Sequence, residues 1–92
     1  MEHVRCIVTG RVQMVRYRLY AEAQAQKLGV VGWVENQPDG SVLVEAWAEK
    51  AVLETFIQKL WKGSPLSRVD KVSEIWENIP YDGADATFII RR

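Results

Sequence analysis

The residues best suited to chemistry stand in two short segments, residues 10–18 (GRVQMVRYR) and residues 32–42 (GWVENQPDGSV). The first is a loop between an apolar strand and a helix, and a helix N-terminus offers free backbone N–H groups and a positive dipole end to an anion. Arg18 adds a planar, two-pronged donor of the kind that binds phosphate oxygens. In the second segment Asn36 precedes the turn Pro38-Asp39-Gly40, where its amide can orient a water. Together these groups indicate hydrolysis of a phosphate compound without a side-chain nucleophile.

Taken singly, Arg18 and Asn36 each have an ordinary structural interpretation. An isolated Arg near a helix start is usually a solvated surface residue. An Asn before a turn often bonds to its own backbone. The hypothesis of phosphate-compound hydrolysis therefore depends on the two segments occurring together and not on either residue alone.

The pattern of apolar residues predicts the elements that must position these segments. Val4, Cys6 and Val8 alternate with other residues as in a strand with one buried face. Helical spacing follows over 17–28 and ends at Gly29. Two strands, 30–36 and 41–47, are joined by the tight turn at Pro38-Asp39-Gly40. A second helical stripe follows, formed by Val52, Leu53, Phe56, Ile57, Leu60 and Trp61. Strands at 69–76 and 87–91 complete the chain.

The resulting order, β-α-β-β-α-β, predicts an α+β fold of the ferredoxin-like class. Each helix lies between strands and has one apolar stripe, so both should pack on one face of an antiparallel sheet. The strand at 87–91 is a short extra C-terminal strand. A chain of 92 residues is large enough for one modest core, and we expect a single domain over residues 1–92.

Composition argues against several other classes of function. Twelve basic and twelve acidic residues cancel, so no long-range field attracts nucleic acid or an anionic membrane. Cys6 is the single cysteine, which excludes an internal disulfide and a thiolate metal cage. The N-terminal residues lack the apolar stretch of a secretory signal, and no apolar run approaches the roughly 20 residues of a membrane span. We expect a cytoplasmic monomer with no cofactor, no metal, no nucleic-acid partner and no membrane partner.

The two segments resemble the acylphosphatase family. Its pattern GRVQ-x-V-x-[FY]-R, then GxVxNxxDGSVxVxA, is matched in order and at the same spacing, and the likeness extends over essentially the whole chain, including KGSP after the second helix. The resemblance implies the ferredoxin-like fold and hydrolysis of acyl phosphates to carboxylate and inorganic phosphate. It also implies that Arg18 and the N–H groups of residues 13–18 cradle the phosphoryl group, while Asn36 holds the attacking water.

The substrate-binding residues implied by the resemblance are consecutive: Gln13, Met14, Val15, Arg16, Tyr17 and Arg18. Arg16 remains open between a solvated loop residue and a group that attracts a dianionic substrate or contacts its acyl part. His3 is expected to be a surface residue at the start of the first strand. Trp47 and Trp76 are expected on the sheet face opposite the helices.

Three positions depart from the family pattern. Met14 stands where a Gly is expected, Arg16 where a Gly or another small or apolar residue is common, and Ala48 where a Gly usually closes the second motif. They leave an alternative open: a catalytically weakened phosphate-binding or protein-interaction module of the same fold. An RNA-binding module shares this strand order, but the strands lack its aromatic signature.

Overall fold

The computed structural model describes residues 1–83 and 87–91, and within them it has the predicted order of elements. The strands are β1 (Glu2–Arg11), β2 (Val31–Asn36), β3 (Val42–Ala48), β4 (Arg68–Glu77) and β5 (Phe88–Arg91), and the helices are α1 (Tyr17–Leu28) and α2 (Lys50–Lys62). The ferredoxin-like prediction is confirmed, including the extra C-terminal strand. Neither helix in the described ranges is long and apolar enough to span a membrane.

The sheet has the order β4-β1-β3-β2-β5, and its fifth strand makes it mixed rather than wholly antiparallel. β1 pairs antiparallel with β3 and β4, and β2 pairs antiparallel with β3, but β5 runs parallel to β2. The chain leaves β4 at the end of the sheet where β2 begins. A strand that enters the β2 edge from that end must run in the direction of β2.

Both helices cover one face of the sheet, as the apolar stripes predict. Val4, Cys6 and Val8 of β1 are fully buried against this layer, together with Leu53, Phe56 and Leu60 of α2. In α1 the buried residues are Tyr17, Ala21 and Ala25, and the two alanines let the helix lie close to the sheet. Trp61, which the spacing placed in the α2 stripe, is instead exposed.

The opposite face of the sheet contains a polar and aromatic cluster that corrects the prediction for His3. This histidine is only 2% exposed, and its Nε2 lies 2.6 Å from Oε1 of Glu45, whose other oxygen accepts from Nε of Arg5 at 2.6 Å. Trp47 packs against His3 and donates its indole N–H to the carbonyl of Ile79. The segment after β4 therefore crosses this face and buries a residue that local sequence places at an exposed strand start.

The prediction for the two tryptophans is half right. Trp47 lies on the face away from the helices, where it also contacts Trp33. Trp76 pairs with Val4, whose side chain is in the helix-covered core, so Trp76 belongs to the helix side. There Lys50 of α2 lies 5.9 Å from its ring centroid. Because β4 is an edge strand, the ring remains partly exposed at the margin of the core.

One end of the sheet gathers the two chemical segments. β1 ends at Arg11, β2 ends at Asn36 and β3 begins at Val42, all at the end from which α1 departs. Opposite Thr9 and Gly10 the pairing register shifts by one residue, and Asp70 is the extra residue on β4. Gly10 has φ 124°, and a Cβ at this position would collide with the backbone carbonyl of Arg68. Only glycine allows β1 and β4 to approach so closely at the entrance to the loop.

Candidate active site

The loop between β1 and α1 alternates in backbone handedness. Met14 has φ 62° and Arg16 has φ 63°, while Gln13 and Val15 have negative φ. Alternation of this kind turns successive N–H groups toward one side and forms a concave anion site. Neither Met nor Arg is favoured in the left-handed region, which costs about 1–2 kcal/mol for a residue with a Cβ. The surrounding structure must therefore hold the loop in this conformation.

The N–H groups of this loop and of the first turn of α1 have no acceptor among the residues that the structure describes. Within the described part of the chain, residues 13–19 donate no backbone hydrogen bond, and the first helical bond runs from Tyr20 N–H to the Arg16 carbonyl at 3.1 Å. α1 has no acidic residue in its first turn and no side-chain cap. No group in the described part of the chain therefore compensates the positive end of the helix, which favours a bound anion.

Four hydrogen bonds from three side chains fix the loop to the rest of the fold. Gln13 donates through Nε2 to the carbonyls of Gln37 and Ser41, each at 2.8 Å, and so ties the loop to the β2–β3 turn. Ser64 donates through Oγ to the carbonyl of Val15 at 3.0 Å, and Tyr17 donates its hydroxyl to the carbonyl of Leu60 at 2.7 Å. These contacts come from segments far away in sequence.

A cleft of about 430 Å³ lies beside the loop, lined by Val12, Met14, Arg16, Tyr17, Arg18, Leu19 and Ile90. Four of the six predicted substrate-binding residues line it. Gln13 and Val15 do not, because the Gln13 side chain is committed to the β2–β3 turn and the Val15 side chain is buried in the core. Tyr17 is also almost wholly buried, with its hydroxyl bound to α2. For Gln13, Val15 and Tyr17, only the backbone remains for a ligand.

The cleft holds two arginines that have no acidic partner among the described residues. Arg16 is exposed and Arg18 is half-buried, and neither makes a side-chain hydrogen bond or ion pair there. Three other arginines are engaged: Arg5 pairs with Glu45, Arg68 pairs with Asp70, and Cζ of Arg91 lies 3.7 Å from the centroid of the Trp33 ring. Arg11 also has no acidic partner among the described residues, but it lies outside the cleft lining. Two unpaired arginines therefore lie beside the free N–H groups, and the local potential is positive although the whole chain is neutral.

Asn36 lies at the end of β2 on the helix-covered side of the sheet. It follows Val34 on that face, and the partner of Val34 in β5 is Ile90, which lines the cleft. The Oδ1 atom of Asn36 is buried and accepts no hydrogen bond from the described residues. The carboxylate of Asp39 makes the side-chain contacts of the turn instead, accepting from N–H and Oγ of Ser41. Asn36 is thus not needed to bind the turn backbone.

The cleft also has an apolar wall, formed by Leu19 and Ile90, which the sequence did not predict. Leu19 follows Arg18 directly and is exposed, because it does not lie on the buried face of α1. An apolar residue outside the buried pattern of a helix could have indicated this wall from the sequence. Ile90 has no such signal, because it enters the cleft only through the parallel pairing of β5 with β2. The wall gives the cleft an apolar side next to its cationic side.

The remaining reactive side chains are not placed for catalysis in this cleft. Cys6 is in the core, and burial raises the pKa of its thiol to about 12. His3 lies on the other face of the sheet in contact with Glu45. Among the described residues, no three His, Cys, Asp or Glu side chains come together as a metal shell would require.

Comparison with known proteins agrees with this geometry. The acylphosphatase family model matches residues 4–90. The chain is 43% identical over 76 residues to an acylphosphatase of Thermus thermophilus, covering 83% of this chain and 86% of the relative. It is 39% identical to an acylphosphatase of Salinibacter ruber, covering 99% and 94%. The solved structure of acylphosphatase from Bacillus subtilis superposes with a TM-score of 0.93 at 34% identity, covering all of both chains. The chain belongs to the acylphosphatase family.

Proposed function

We propose that the cleft beside the 12–16 loop is the active site of this enzyme, with Arg18 and the N–H groups of residues 13–18 holding the phosphoryl group and Asn36 orienting the attacking water. Membership of the family establishes the reaction, hydrolysis of acyl phosphates to carboxylate and inorganic phosphate. The residue roles rest on one observation: at the N-terminal end of α1, the backbone N–H groups and the Arg18 side chain all lack a partner among the described residues.

The chemistry suits a site with no strong base and no general acid. The bond that breaks joins phosphorus to a carboxylate oxygen, and the conjugate acid of that leaving group has a pKa of about 4. Phosphoryl transfer passes through a loose transition state, so positioning and charge stabilisation supply most of the catalysis. The new bond joins phosphorus to the water oxygen, and the water proton can pass to a phosphoryl oxygen of the substrate.

Asn36 supports this arrangement because its amide has unused bonding capacity. A buried acceptor without a partner is uncommon in folded proteins and points to a ligand or water that completes it. An amide can accept from a water proton and donate to a water oxygen, so it orients the nucleophile without changing its own charge. Its position beyond Val34, next to the strand that lines the cleft, fits this role.

One of the three departures from the family pattern, Ala48, does not support the alternative of a catalytically weakened binding module. Ala48 is buried at the far end of β3, opposite Glu2, and does not reach the cleft. Relatives named acylphosphatase at about 40% identity support hydrolysis, and the comparisons with known proteins do not favour the alternative. We also expect the enzyme to act as a cytoplasmic monomer without nucleic acid, as its neutral net charge suggests.

Titration with inorganic phosphate tests the cradle directly. In 15N-labelled protein followed by NMR, phosphate is expected to shift the backbone amides of residues 13–18 at concentrations that competitively inhibit hydrolysis of an aromatic acyl phosphate. Amides near Glu45 on the other sheet face serve as internal controls. Saturable shifts confined to that other face, with the loop unchanged, would place the anion site elsewhere.

Removal of divalent cations is expected to leave activity unchanged. The proposed charge stabilisation comes from Arg18 and backbone dipoles and needs no metal ion. The measurement compares kcat/KM for an aromatic acyl phosphate before and after dialysis against EDTA. Loss of activity with EDTA and recovery on addition of Mg²⁺ would contradict this mechanism.

Met14→Gly is expected to raise kcat/KM for an acyl phosphate by about threefold or more. The side chain of Met14 is 99% exposed and its φ is 62°, so the substitution removes left-handed strain and loses little packing. Met14→Ala is the matched control, because it removes the side chain but keeps the Cβ and hence the strain. If the Ala variant gains as much as the Gly variant, crowding and not backbone strain limits the parent. Equal or lower activity in the Gly variant would mean that the methionine contributes productively to the loop.

A further inference from the structure

The carbonyl of Val15 is held by a residue outside the active-site motifs. Ser64 follows α2, is only 6% exposed, and donates through Oγ to this carbonyl at 3.0 Å. No other donor among the described residues contacts the Val15 carbonyl. The carbonyl of Ser64 in turn accepts from Oγ and N–H of Ser67, at 2.8 Å and 3.0 Å, so the turn that carries Ser64 is itself fixed.

The orientation of the Val15 carbonyl also determines the orientation of the Arg16 N–H group. Both belong to one planar trans peptide, in which C=O and N–H point in opposite directions. Because Ser64 binds the carbonyl on the buried side, the N–H of Arg16 is directed away from the core. The side chain of Arg16 lines the cleft, and its backbone N–H has no acceptor within residues 1–83 and 87–91.

Rotation of this peptide plane would relieve strain in the free loop. A flip of the peptide between Val15 and Arg16 changes ψ of the first residue and φ of the second. It would take Arg16 from φ 63° to a negative φ, which a residue with a Cβ prefers. The same flip would replace an N–H donor in the cradle by a carbonyl oxygen, which repels an anion. The hydrogen bond from Ser64 opposes this flip.

We infer that Ser64 is a positioning residue for catalysis: it holds the Val15–Arg16 peptide with its N–H toward the phosphoryl group, against a flip that the non-glycine Arg16 favours. The inference rests on the proposed phosphate cradle of residues 13–18. Ser64 acts through the loop and does not touch the substrate. Its importance is tied to this sequence, because a glycine at position 16 would have no preference for a negative φ.

A double-mutant cycle between positions 64 and 16 tests this inference. Ser64→Ala is expected to lower kcat/KM for an aromatic acyl phosphate by about tenfold or more and to weaken inhibition by inorganic phosphate. In the Arg16→Gly background, Ser64→Ala is expected to lower kcat/KM by only about threefold or less. Ser64→Thr, which keeps the hydroxyl donor, is expected to recover most of the activity. An equal loss on both backgrounds, or parent activity in Ser64→Ala, would overturn the inference.

Ser67→Ala is the matched control, because it removes a hydroxyl from the same turn without touching the loop. We expect it to stay near the parent rate, and a loss as large as that of Ser64→Ala would make turn stability the cause. Should Ser64→Ala fail to fold, Ser64→Cys keeps the size of the side chain with a weak donor and is expected to show the same loss. Arg18→Ala, assayed in parallel, separates the two proposals. Full activity in Arg18→Ala would reject the phosphate cradle itself. An inactive Arg18→Ala together with a fully active Ser64→Ala would reject only the role of Ser64.

Discussion

Arg18→Ala is expected to reduce hydrolysis of an acyl phosphate by about a thousandfold or more and to weaken competitive inhibition by inorganic phosphate. Arg18 lines the cleft without an acidic partner in the described chain, at the end of α1 where the N–H groups are free. A charge aimed at the equatorial oxygens stabilises the transition state more than the ground state, so kcat should fall together with kcat/KM. Steady-state kinetics with an aromatic acyl phosphate, read by absorbance, measure both.

The shape of the guanidinium should matter as much as its charge. Arg18→Lys is expected to remain close to the alanine variant, because one ammonium cannot reproduce two parallel N–H donors. Arg11→Ala is the matched control, since Arg11 is an exposed arginine at the same end of the sheet but outside the cleft lining. Near-parent activity in Arg18→Lys would show that the site needs only a positive charge.

Asn36→Ala is expected to lower kcat by about a hundredfold with a much smaller change in KM. One oriented polar group in a catalytic site is typically worth about 3 kcal/mol, and Asn36 is proposed to contact the water and not the phosphate. The structure adds a stability criterion. The Asn36 side chain makes no hydrogen bond among the described residues, and the Asp39 carboxylate accepts the side-chain hydrogen bonds of the turn instead. The variant should therefore unfold at nearly the parent temperature.

Two outcomes would reject this role for Asn36. A raised KM with unchanged kcat would place the amide on the substrate. A clear fall in melting temperature with unchanged kcat would make it a structural residue of the strand end. Asp39→Ala is the informative comparison, because it removes the side chain that does bind the turn and should lower stability more than kcat.

Periodicity predicted the order of the elements because several of them, β1 and α2 above all, have a strong local signal. The alternation of Val4, Cys6 and Val8 marks a half-buried strand, and Phe56, Ile57 and Leu60 mark one face of a helix. These patterns follow from backbone geometry and burial, which act over a few residues. Trp76 shows the limit: its strand was predicted correctly, but which face of the sheet it joins depends on its pairing with Val4.

The sequence by itself determined which groups are available for chemistry: a loop before a helix, Arg18 at that helix, and Asn36 before a turn. Motif order and spacing also carried the family resemblance. Tertiary structure decided how those groups are used. Contacts between distant segments buried His3 against Glu45, brought Ile90 to the cleft and bound Gln13 to the β2–β3 turn. The bond from Ser64 to Val15 joins residues 49 positions apart. Contacts at such separation leave no local pattern, because they depend on how whole elements pack and not on the residues beside them.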